Sequence, residues 1–110
     1  MRGTVNINGK DVELVANAAS PYLYRQIFQE DFLRKIQEKD PDTDLMQRMG
    51  FVMAAQAKMS TSEVLKLTQA DFLEWLTDFD PLDILTATEE ISDLYFRQAK
   101  GLSTPKKQGG

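Results

Sequence analysis

The sequence predicts a mainly α fold: an N-terminal β-hairpin packed on a compact bundle of four to five helices, with a disordered C-terminal tail. Three observations predict it. Residues 4–14 alternate apolar and polar side chains around Asn8-Gly9. Apolar side chains then recur at three- and four-residue intervals from about residue 20 to about residue 100. That periodicity is absent from the polar, lysine-bearing stretch that starts at Leu102. A chain of 110 residues fits a single domain, placed at 1–101, followed by a flexible tail at 102–110.

The hairpin comes first. Val5 and Ile7 alternate with polar residues, as do Val12 and Leu14. Asn8 and Gly9 both tolerate the positive φ angles of a two-residue type I′ turn. That loop pairs Val5 with Val12 and Ile7 with Lys10, so one face is mostly apolar. An isolated hairpin is marginal in water, so this face must lie on the helices.

Ser20-Pro21 reads as a helix start, serine capping and proline in the first turn. Leu23, Ile27, Phe28, Phe32, Leu33 and Ile36 extend one helix towards Lys39-Asp40-Pro41, where the proline disfavours helix in the residue before it. A second helix runs from about Thr43 to Met59. Gly50 inside it costs about 1 kcal/mol relative to alanine, which close approach of a neighbouring backbone would offset. Ser60 with Glu63 has capping-box spacing, and Thr68 with Asp71 repeats that kind of start. The two short helices that follow can equally be read as one, broken near Thr68. Asp80-Pro81 opens the last helix, and Gly101 is its natural stop.

Composition removes whole classes of chemistry. The chain has no cysteine and no histidine, so disulfides, thiolate metal sites and Ser-His or Cys-His nucleophiles are excluded. A net charge of −4 disfavours a nucleic-acid partner, because a phosphate backbone rewards positive charge. No apolar run reaches membrane-spanning length and no signal-peptide core follows Met1, so no membrane is implied and the cytoplasm is the expected compartment.

The remaining candidates are weak as chemistry. Asp40, Asp42 and Asp44 imitate the start of a calcium loop, but Leu45 and Phe51 stand where glycine and glutamate are needed. Glu30-Asp31 and Glu89-Glu90 read as solvated helix faces, since adjacent helical residues do not face each other. No catalytic residue, metal ligand or cofactor site is expected. Phe72, Trp75, Leu76 and Phe79 form an aromatic stripe at helical spacing, suited either to a core or to a groove for a partner helix. Met46, Met49, Met53 and Met59 pose the same choice, because methionine fills irregular cores and also lines adaptable binding surfaces. Met46, Met49, Met53, Phe72, Trp75 and Phe79 are therefore the candidate partner-binding residues. From residues alone the chain reads as an acidic, non-catalytic binding module.

Several segments in order resemble a known family. Ile7-Asn8-Gly9-Lys10-Asp11-Val12-Glu13-Leu14 is followed by Tyr24-Arg25-Gln26-Ile27-Phe28-Gln29-Glu30-Asp31, then by Phe51-Val52-Met53-Ala54. Asp71-Phe72-Leu73-Glu74-Trp75-Leu76, Phe79-Asp80-Pro81 and the tail Ser103-Thr104-Pro105-Lys106-Lys107 complete the series. This combination resembles the tail assembly chaperones of long-tailed phages and prophages of Gram-positive bacteria. The resemblance implies a protein of the host bacterial cytoplasm, absent from the mature virion. Its partner would be the tape measure protein, kept soluble until the tail tube polymerises, with the tail tube protein as a second partner and self-association allowed. Lys106-Lys107 is compatible with the slippery codons from which such chaperones make a longer, frameshifted form. The competing reading is a small acidic regulator or inhibitor of a host or phage protein.

Overall fold

The computed structural model describes residues 2–7, 9–37 and 43–103, with side chains given through Phe96. Two strands, β1 (Arg2–Ile7) and β2 (Lys10–Val15), lead into α1 (Ser20–Phe28), α2 (Phe32–Lys35), α3 (Thr43–Lys58), α4 (Thr61–Val64), α5 (Gln69–Leu76) and α6 (Pro81–Ser103). The predicted class is present: an antiparallel hairpin on helices, with two of the helices only a single turn long.

The hairpin register pairs Val5 with Val12 and Ile7 with Lys10. Gly9 takes φ 82°, the left-handed conformation the turn needs, and donates its N–H to Asn6 Oδ1 at 2.9 Å. Asn8 itself lies outside the described residues. Val5, Ile7, Val12 and Leu14 are all buried, because β2 lies against α3 and β1 against α6. Covering the apolar face in this way stabilises a hairpin that would be marginal alone.

The predicted first helix is two. Gln29 adopts φ 60°, ends α1, and donates its backbone N–H to the Arg25 carbonyl at 2.8 Å. A non-glycine residue there costs about 1–2 kcal/mol. Asp31 then caps α2 by accepting the Arg34 N–H at 3.3 Å. Periodicity cannot reveal this break, since Phe28 and Phe32 face the core on either side of it. Ser20 also departs from its predicted capping role. Ala19 occupies the cap, while the fully buried Ser20 hydroxyl accepts the Asn17 N–H and donates to Gln56 Oε1 at 2.6 Å. It fastens α1 to the end of α3.

At α4 and α5 both predicted capping boxes form, Ser60 with Glu63 and Thr68 with Asp71, and they separate two helices. Pro81 opens α6 as expected, but Gly101 does not stop it, and the helix continues to Ser103. The disorder predicted for the tail falls largely on 104–110, outside the described residues, as do Asp40 and Asp42 of the calcium-like run.

Helix α3 is the centre of the molecule. From Leu45 to Ala55 every residue except Arg48 is buried. Gly50 has a packing reason: a Cβ there would stand 2.9 Å from Ile91 Cδ1. The close neighbour is thus a side chain of α6, not the backbone expected from sequence.

Candidate interaction surface

The predicted partner-binding residues divide into two groups. Met46 and Phe72 are each 8% exposed, and Met49 and Met53 are 0% exposed. These four are part of the core and cannot touch a partner while the fold is closed. A helix that is apolar on all sides belongs inside a protein, and α3 is such a helix. Trp75 and Phe79, by contrast, are half-buried at the edge of α5 and just beyond it.

Aromatic packing links the two groups. Phe28 and Phe72 meet edge-to-face at 5.3 Å, Phe51 packs on Trp75 at 5.7 Å, and Trp75 meets Phe79 at 5.1 Å. Such contacts contribute about 0.5–1.5 kcal/mol each beyond area burial. They hold Trp75 and Phe79 in place, so the rings are presented at the surface by a rigid support.

Beside them lies an open, largely apolar hollow lined by Gln47, Leu76, Phe79, Pro81, Ile84 and Leu85. Leu73, Leu82 and Leu85 stand exposed on the same stretch of chain, Leu82 to 76%. Exposed apolar groups concentrated in one region mark an interaction site more often than scattered ones do. On the hairpin side, Lys10 Nζ sits 5.8 Å from the Phe79 ring, at a second hollow bounded by Asp78, Asp80 and Asp83.

A polar cluster missed by sequence reasoning lies beside a further hollow formed with Phe28, Gln69, Phe72 and Leu73. Tyr24 donates its hydroxyl to Glu30, Arg48 Nε donates to the Tyr24 oxygen at 2.8 Å, and Arg48 pairs with Glu30 Oε1 at 2.9 Å. Burial, then the Glu30 carboxylate that accepts its proton, push the Tyr24 phenol far above its ordinary value. Partial burial opposes the Glu30 charge, but the bonds from Tyr24 and Arg48 outweigh it and hold the carboxyl below its usual range. Arg48, with burial opposing and both partners outweighing it, is held more firmly in its charged form. At neutral pH the cluster is therefore a protonated phenol between two fixed opposite charges. Its chemistry is that of a tie between α1, the turn after it and α3.

Glu30, held in the tie, is thus not the solvated residue expected, whereas Asp31 is exposed, as expected, and caps α2. Glu89 and Glu90 are exposed, as expected. The signal for the tie was Arg48, the one cation inside an apolar run, which needs a buried partner. Among the described residues no group of carboxylates is arranged to hold a metal ion, and no helix is long and apolar enough to cross a membrane.

No protein-family model, curated protein or solved structure matches the chain, so its site rests on its own geometry.

Proposed function

We propose that the chain is a tail assembly chaperone of a long-tailed phage or prophage, binding the tape measure protein and keeping it soluble until the tail tube polymerises. The observation that carries this reading is the rigidly backed apolar edge formed by Trp75, Leu76, Phe79 and Leu85, with Leu82 exposed beside it. Such an edge suits the apolar face of a helix, and a tape measure protein is long and mostly helical. The ordered likeness of segments along nearly the whole length to this family supplies the partner's identity. On this reading the protein acts in the host bacterial cytoplasm, leaves before the virion matures and catalyses nothing.

Co-expression with the large helical protein encoded downstream tests the proposal. The expected result is that the partner becomes soluble and co-purifies with the chain. Equal solubility of that protein alone, with no complex recovered, rejects the chaperone reading in favour of a small acidic regulator.

A further inference from the structure

We infer that the hollow between α5 and the start of α6 is a docking site for a basic amphipathic helix, a statement of partner chemistry that rests on the helix-binding reading above. Its first basis is charge. Between Leu67 and Phe96 the chain carries eight carboxylates, from Asp71 to Asp93, and no lysine or arginine. The remainder of the chain is net positive, because the whole has 17 acidic and 13 basic residues. Three of these carboxylates, Asp78, Asp80 and Asp83, line the hollow that adjoins the apolar one across Phe79. Asp78 and Asp80 are exposed and Asp83 is half-exposed. A partner with leucine-like side chains on one face and lysines flanking them satisfies both features at once.

The second basis is Gln47. It lines the hollow, is only 8% exposed, and its carboxamide has no hydrogen-bond partner among the described residues. A buried amide without a partner costs about 1–3 kcal/mol. A polar group brought in by an incoming helix would remove that cost. Lys10 shows the chemistry within the molecule itself, since its ammonium already lies over the Phe79 ring at the acidic rim.

The chain's own distal lysines do not fill the site. Leu85 and Ser103 are separated along α6 by roughly 27 Å at 1.5 Å per residue. The four residues from Ser103 to Lys107 span at most about 14 Å between Cα atoms when fully extended, short of that separation even with the lysine side chain added.

The test uses the full chain and two synthetic 20-residue helical peptides, one of leucine and lysine at amphipathic spacing and one with glutamate replacing lysine. The single tryptophan, Trp75, beside the hollow, reports binding by fluorescence. The lysine peptide should bind one-to-one and the glutamate peptide should not. Raising salt from about 0.05 to 0.5 M should weaken binding roughly tenfold. Leu85→Lys should weaken it at least about tenfold. Leu33→Lys, which adds the same charge at a site of matching exposure, 48% against 47%, should leave it unchanged. Gln47→Leu should weaken binding roughly two- to tenfold without lowering the melting temperature.

Equal binding of both peptides, or equal loss in Leu85→Lys and Leu33→Lys, overturns the inference. So does a dimer of the free chain that Leu85→Lys converts to monomer, since the face would then be occupied by a second copy. If the tape measure protein is captured equally by Leu85→Lys, the chaperone reading stands and this site falls. If the lysine peptide binds while the unaltered chain captures no tape measure protein, the site stands and the chaperone reading falls.

Discussion

Helix α3 and the α5–α6 corner are both rich in large apolar side chains, yet they use them oppositely. From Leu45 to Ala55 the apolar groups of α3 point in every direction and are enclosed by the hairpin, α1, α5 and α6. At the corner Phe72 and Ile84 face inward, while Leu73, Leu82 and Leu85 remain exposed and Trp75 and Phe79 are half-covered. Methionine content alone does not distinguish a binding surface from a core. What distinguishes them is whether polar residues interrupt the apolar pattern, as carboxylates do at the corner and scarcely at all along α3.

The largest effect should come from the centre. Met53→Ala, at a 0% exposed position, is expected to lower stability by about 2–5 kcal/mol in denaturant unfolding. Trp75→Ala at the corner should cost less, about 1–3 kcal/mol, because half-burial leaves less contact to lose. A smaller loss at Met53 than at Trp75 would invert the proposed roles of the two regions.

Gly50→Ala probes the α3–α6 contact. The gain in helix propensity is about 1 kcal/mol, but the new methyl meets buried Ile91 at 2.9 Å. Overpacking of this kind costs about 1–3 kcal/mol, so net destabilisation is expected in thermal unfolding. Pairing it with Ile91→Val should recover part of the loss.

The Tyr24–Glu30–Arg48 tie makes a pH prediction. Glu30 has a lower pKa in the folded chain than in the unfolded one, so its contribution is complete above the ordinary glutamate value. It is lost as pH falls through the folded value. Glu30→Gln should therefore lower the melting temperature at pH 7, by the equivalent of about 1–3 kcal/mol. The gap from the unaltered chain should narrow below about pH 4. The smallest effect is expected at Leu82→Ala, within about 0.5 kcal/mol, because the side chain is 76% exposed.

The hairpin, both capping boxes and the start at Pro81 were legible because each depends on short-range chemistry, a positive φ or an orphan N–H satisfied three residues away. The break at Gln29 was not, since Phe28 and Phe32 keep the same inward direction through it. Ser20 and Glu30 were misread for a common reason. Their hydrogen-bond partners, Gln56 and Arg48, are distant in sequence and adjacent only in the fold. The aromatic stripe reads from sequence as either core or groove, and the structure buries Phe72 and leaves Trp75 and Phe79 half-buried at the edge.

Hydrogen–deuterium exchange on the full chain, free and with the proposed partner, the tape measure protein, compares the two regions in one measurement. Amides from Gln69 to Leu85 should gain protection in the complex. Those from Leu45 to Ala55, already enclosed, should show little change. Strong changes along α3 with none at the corner would contradict the assignment, because the core helix would then have to open to make the contact.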